Sequence, residues 1–317
     1  LSKFTRTSHK EVLESLETLK EQGMKSLIID LRGNSGGYLD QALLLSNEFL
    51  EKGSLIVYME GLHRKREDYF ADGRGGFKDV KLKVLIDEGS ASSSEIFAGA
   101  IQDNDRGTII GRRSFGKGLV QEPIYFSDKS GIRLTVARFY TPTGRSIQKP
   151  YRDDYRNDIM ERYRHGELTS VDSIRQNDSL KYTTPKGKVV YGGGGITPDL
   201  FVPIDTTGVT NFLIKSNQQG LVFRYASDIA DQYRTELRGI NSLKDLNRFL
   251  NSKNLEKGFL EYASKRDIVP TPEEWKSSGY ILITQLKALV GRYSPLDDKA
   301  YYPIISEIDN VIQVAKQ

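Results

Sequence analysis

Ser26-Leu-Ile-Ile-Asp-Leu31, followed by Arg32-Gly-Asn-Ser-Gly-Gly37, is the stretch that decides the fold. Leu27, Ile28, Ile29 and Leu31 make a short apolar run of strand length, and the glycines after it break the strand before a helix expected over 40–51. Strand, glycine turn and helix form one α/β unit. Upstream, residues 1–4 read as the tail of a strand. Ser8 and Glu11 then read as a capping box opening an amphipathic helix that Gly23 stops. Downstream, strands are expected at 54–59, 83–86, 107–111, 119–126 and 132–140, with a helix over 92–104. The expected fold class is α/β, with a mixed-sheet core of βαβ units over residues 1–205.

Residues 150–188 are polar and rich in Tyr, Asp and Arg, and they read as an inserted lid or arm. After Gly192-Gly-Gly-Gly-Ile-Thr-Pro-Asp199 helical periodicity takes over, at 209–237, 242–252, 254–265, 272–292 and 297–315. Residues 206–317 are therefore expected as a smaller, all-helical C-terminal domain, with breaks at Pro270-Thr-Pro272 and Ser294-Pro295. The 317 residues are 38% hydrophobic and 28% charged, a composition that excludes wholesale disorder and fibrous folds. Net charge is +4, from 46 basic and 42 acidic residues, with the basic residues scattered, so nucleic acid is not an expected partner. The absence of cysteine removes thiol nucleophiles, thiolate metal sites and disulfides. No run of apolar residues reaches the length of a membrane helix. The chain opens at Leu1 and is read as a fragment of a longer protein.

Three segments carry chemistry. In Glu88-Gly-Ser-Ala-Ser-Ser-Ser-Glu-Ile-Phe-Ala-Gly-Ala100 a strand ends, four serines follow and a helix begins. Free N–H groups and the positive end of the helix dipole suit an oxyanion there, although Ser92 and Glu95 also fit an ordinary Ser-x-x-Glu cap. Gly111-Arg-Arg-Ser-Phe-Gly-Lys-Gly-Leu-Val-Gln121 nearly matches a phosphate-binding loop. It lacks the hydroxyl residue after the lysine, since Gly118 stands there, and it leads into a strand rather than a helix. Regular alternation along that strand would put Lys117 and Gln121 on one face. In Asp30-Leu-Arg-Gly-Asn-Ser-Gly-Gly37 the glycines either supply an outward N–H or simply turn the chain. His9 opens a helix, and His63 and His165 lie in charged runs, so none reads as an oriented base and none pairs with another at metal-binding spacing. Lysine is left as the candidate base for any serine chemistry.

In this order and spacing, these segments together with Gly194-Gly-Ile-Thr-Pro-Asp199 resemble the C-terminal processing (tail-specific) serine peptidases, over about residues 1–205. The resemblance implies Ser92 as nucleophile, Lys117 as general base and Gln121 as the residue orienting it. It implies an oxyanion hole from the N–H groups of Ser93 and Gly36, with Gly37, Glu95, Asp103 and Ser114 as support. A lysine accepts a proton only when neutral, which burial favours, so a buried Lys117 is expected. The implied reaction is cleavage of proteins at or near their C-termini without metal or cofactor; the alternative is a catalytically silent scaffold holding extended peptides. Implied partners are protein or peptide substrates with apolar tails and a PDZ domain upstream, which this chain lacks; homo-oligomerisation is allowed. The implied setting is the periplasm or cell envelope.

Overall fold

The computed structural model describes residues 1–151 and 157–317; residues 152–156 of the expected insertion lie outside the described residues. The chain folds as two compact units, Leu1–Ile204 and Asp205–Gln317.

The first unit opens with α1 (Ser8–Glu21), β1 (Ser26–Asp30), α2 (Leu39–Asn47), β2 (Leu55–Gly61), β3 (Arg64–Phe70), β4 (Lys81–Ile86), α3 (Ser93–Asp103) and β5 (Gly107–Gly111). β6 (Leu119–Tyr125), β7 (Gly131–Tyr140), α4 (Asp158–Arg164), β8 (Lys181–Thr183), β9 (Val189–Tyr191) and β10 (Leu200–Phe201) complete it. The fold is mixed α/β, with parallel and antiparallel pairing separated into different sheets. The first sheet has the order β1-β4-β5-β10 and is parallel, with Ser26 opposite Lys81 and Leu82 opposite Gly107. The second, β3-β2-β7-β6, is antiparallel, and β8 pairs with β9 in a separate hairpin.

The apolar strand residues Leu27, Ile29, Leu82, Val84, Ile86 and Ile109 belong to one core with Phe49, Ile96, Phe97 and Ile101. Every residue of α3 is buried, and Phe97 meets Phe49 edge-on at 6.1 Å between ring centroids. Full burial of each such side chain contributes about 1.5–3 kcal/mol. This central helix fixes where its N-terminus lies, and that terminus carries the serine run.

One local expectation is corrected. Thr7, not Ser8, precedes α1 as its N-cap, with Thr7 Oγ1 donating to Glu11 Oε1 at 2.5 Å, whereas the Ser8 hydroxyl bonds back to Lys3 O. The segment expected as a lid or arm has a packed root: Arg162, Glu167 and Leu168 are all buried.

The second unit contains α5 (Asn211–Gln218), α6 (Leu221–Gln232), α7 (Arg234–Arg238), α8 (Leu243–Ser252), α9 (Leu255–Ser264), α10 (Pro272–Arg292), α11 (Asp298–Ile305) and α12 (Asn310–Lys316). Phe212, Leu246, Phe259, Leu282 and Leu286 lie in its core. α10 starts as Pro272 at its first turn and a reciprocal cap dictate: Thr271 Oγ1 accepts from Glu274 N–H, and Glu274 Oε2 accepts from Thr271 N–H. Among the described residues no helix is long and apolar enough to cross a membrane.

Candidate active site

The four serines ahead of α3 have different fates. Ser90, Ser93 and Ser94 are buried, and their hydroxyls donate to Leu31 O, Gly37 O and Asn34 O at 2.8, 2.9 and 2.9 Å, stitching the helix N-terminus to the turn after β1. Ser92 alone is partly exposed, and its hydroxyl donates no hydrogen bond among the described residues. Its backbone is at φ 56°, ψ −116°, whereas a serine serving only as a cap sits in the extended region. Such a conformation in a residue with a Cβ costs about 1–3 kcal/mol and persists only where its surroundings hold it. Those surroundings are the Ser92 N–H donating to Glu95 Oε2 at 2.8 Å, and Ser92 O accepting from the N–H groups of Glu95 and Ile96.

Glu95 joins the serine to the lysine-bearing loop. Its fully buried carboxylate accepts four hydrogen bonds, from Ser114 Oγ (2.5 Å) and Gly116 N–H (2.7 Å) on Oε1, and from Ser92 N–H and Lys117 N–H (2.8 Å each) on Oε2. Burial pushes this carboxyl pKa up, and the four donors pull against it. Ser92 and Lys117 thus share one carboxylate oxygen through their main chains. Ser114 Oγ also accepts from Ile196 N–H at 2.7 Å, so it ties Glu95 to the 196 segment.

The third component is the turn at 34–37. A Cβ on Gly36 would lie 2.7 Å from the Ser92 Cβ and 2.9 Å from Ser93 N, so a side chain there would fill the space beside the serine. The Gly36 N–H, expected to face an oxyanion, donates here to Asn34 Oδ1 at 2.9 Å, closing a local turn. Among the described residues the N–H groups of Ser93 and Gly37 make no hydrogen bond. Gly37 bridges Phe4 in parallel register with its carbonyl receiving the Ser93 hydroxyl, so its N–H lies on the edge facing away from Phe4. Gly37→Ala would place a methyl 1.9 Å from Phe4 O at φ 151°. It should lower the urea midpoint of unfolding by the equivalent of more than ~1–3 kcal/mol. Gly23→Ala, at φ 83° with nothing within 4 Å of the added methyl, should cost less.

Two expectations about side chains are not met. Lys117 is exposed rather than buried, because its loop is anchored by backbone groups that leave the side chain outside, and its ammonium makes no hydrogen bond to Ser92. Gln121 is also exposed, with its amide 3.4 Å from Thr135 Oγ1 rather than on Lys117. The physical reason is a register shift between Val120 and Gln121, which breaks the period-two alternation. Asp103, at the far end of α3, pairs with the buried Arg145 at 2.6 Å and accepts from Thr143, holding the 141–145 turn to the helix. The His9 side chain contacts Glu48, that of His165 contacts Glu161, and His63 is exposed; among the described residues no histidine ring hydrogen-bonds a serine.

Residues 1–156 match peptidase family S41, a stretch that contains every candidate residue above. Residues 212–294 match a family of unknown function, DUF8443. The carboxyl-terminal-processing protease of Synechocystis sp. (strain ATCC 27184 / PCC 6803 / Kazusa) is 42% identical over 149 residues, covering 47% of this chain and 34% of that protein. The carboxy-terminal processing protease CtpA of Bacillus subtilis (strain 168) is 36% identical over 153 residues, covering 47% and 32%. The solved photosystem II D1 C-terminal processing protease matches with a TM-score of 0.48 at 28% identity, over 64% of this chain and 41% of that one. The chain spans about a third of the length of the curated relatives it matches.

Proposed function

We propose, from the match of residues 1–156 to peptidase family S41, that the full-length protein is a serine endopeptidase cleaving proteins at or near their C-termini with a Ser92–Lys117 dyad. The observation carrying this reading is Ser92: of four adjacent serines it alone is strained and partly exposed, with its hydroxyl proton uncommitted. In the proposed reaction neutral Lys117 takes the Ser92 proton, the alkoxide adds to a peptide carbonyl, and the Ser93 and Gly37 N–H groups receive the oxyanion; its collapse breaks the C–N bond as the Lys117 ammonium returns the proton to the leaving amine. Water then releases the acyl group. Closure of Lys117 onto Ser92 is required, since catalytic hydrogen bonds often tighten only with substrate bound. Gln121 is proposed to orient the lysine in that closed state.

Among the described residues β6 pairs with β7 alone and begins two residues after Lys117, so its other edge is where we place an extended substrate backbone. The proposed setting is the bacterial periplasm or cell envelope. The test is turnover of peptides ending in small apolar residues, followed by mass spectrometry of the released tail. Ser92→Ala, Lys117→Ala and Lys117→Arg should each lower kcat by about three orders of magnitude or more while leaving the circular dichroism unchanged; the arginine variant fails because a guanidinium stays charged. Wild-type turnover in any of the three would refute the dyad.

A further inference from the structure

The backbone of the lysine loop is fixed almost atom by atom. On the donor side Ser114 N–H goes to Ile196 O, Phe115 N–H to Ser90 O, Gly116 and Lys117 N–H to Glu95, and Gly118 N–H to Gln148 Oε1. On the acceptor side Gly116 O receives Lys149 N–H and Gly118 O receives Phe139 N–H. The carbonyls of Arg113 and Ser114, where the loop begins, receive one side chain from α4: Arg162 Nη2 at 2.6 Å and Nη1 at 3.0 Å.

That guanidinium is itself held. Arg162 Nε donates to Glu167 Oε1 at 2.9 Å, and Glu167 is gripped in bidentate fashion by Arg113, Nε to Oε1 at 2.6 Å and Nη2 to Oε2 at 2.7 Å. Arg113 Nη1 reaches on to Gly194 O at 2.9 Å. The result is a closed ring: Arg162 binds the Arg113 carbonyl and Glu167, and Glu167 binds the Arg113 side chain. Arg162 and Glu167 are buried, their side chains 4% and 5% exposed, while Arg113 is partly exposed. Burial and the neighbouring Arg113 disfavour the Arg162 charge, and Glu167 and Asp158 oppose them. Both Arg162 and Glu167 lie beyond the family-matched stretch.

We infer that Arg162, oriented by Glu167, is a positioning residue for Lys117: it fixes the two carbonyls that open the lysine loop and so sets the reach of Lys117 toward Ser92. The inference rests on the Ser92–Lys117 reading above. An anchor meant only to dock α4 could attach anywhere on the domain. This one attaches at the carbonyls three and four residues before the proposed base. Only a planar fork spans two consecutive carbonyls and a carboxylate together, so lysine is not an equivalent replacement.

The test uses the full-length protein and measures the rate at which a fluorophosphonate labels Ser92, per folded molecule and across pH, in the wild type, Arg162→Ala and Arg162→Lys. A displaced base should slow labelling by between about tenfold and about a hundredfold, the scale of a roughly ångström misplacement of a catalytic group, and should shift the pH limb. Millimolar guanidinium should partly restore Arg162→Ala, and sodium chloride at equal ionic strength should not. If Arg162→Ala does not fold, Arg162→Lys decides. Wild-type rates and pH profiles per folded molecule in the folded variants would overturn the positioning role while leaving the dyad standing. Failure of the wild type itself to label would overturn the dyad and this inference with it.

Discussion

Glu95→Ala is expected to disable the protein at two levels at once. The fully buried carboxylate is the acceptor for three backbone N–H groups and one hydroxyl, two of these bonds buried and two part-buried. Each buried donor left without a partner costs ~1–3 kcal/mol, so several together approach the whole stability of a typical domain. Ser92 would also lose the bond that helps hold it at φ 56°, and the lysine loop its tie to α3. A loss of cooperative unfolding, or a urea midpoint far below the wild type, is the expected readout. Glu95→Gln should be milder. Its amide oxygen can replace Oε2 against Ser92 and Lys117, and its NH2 can donate to Ser114 Oγ, which leaves the Gly116 N–H and the Ser114 hydroxyl proton without their acceptor. That variant should lose ~1–3 kcal/mol for each and remain foldable. Equal stability of both variants and the wild type would show that Glu95 does not bear the loop.

The second large effect is expected at Arg145, a 1%-exposed guanidinium between Gln102, Asp103 and Tyr191 O. Removing one member of a buried ion pair leaves the other charge uncompensated and costs ~3–5 kcal/mol. Arg145→Met and Asp103→Asn should therefore each destabilise strongly, by denaturant titration. The double variant should cost well under the sum of the two, because no unpaired full charge is left behind. Additive losses would mean that the two side chains contribute through separate packing instead. The pair also joins the C-terminal end of α3 to the segment leading to Gln148, whose side chain receives the Gly118 N–H. A partly folded single variant should accordingly lose activity along with stability.

Much of the α/β framework was legible because β1, β4 and β5 are apolar and buried, and such runs declare themselves without knowledge of their neighbours. β3 was not legible. Arg64-Lys-Arg-Glu-Asp-Tyr-Phe70 has no apolar alternation, since the strand lies at a sheet edge with most residues exposed, and charge pairs such as Arg66–Asp68 line it. The helical character after residue 209 showed in the periodicity. The break at Gly220, in the left-handed region at φ 63°, did not, because one glycine within a periodic stretch is compatible with an unbroken helix. At the site, Ser-x-x-Glu was visible but ambiguous. What sets Ser92 apart from its three serine neighbours is that their hydroxyls are engaged by the turn at 31–37, some sixty residues away in sequence. The bulge that turns Gln121 from Lys117 and the reach of Arg162 across 48 residues to Ser114 are tertiary facts with no local signal.

The central claim is that Ser92 is a nucleophile activated by Lys117, and mapping a covalent adduct tests it most directly. The full-length protein would be treated with a fluorophosphonate, digested, and searched for the modified residue by mass spectrometry. The account predicts a single stoichiometric adduct on Ser92, absent from Ser92→Ala and reduced to background in Lys117→Ala with the fold intact. An adduct on any other residue, or a Lys117→Ala protein labelled on Ser92 at the wild-type rate, would contradict it.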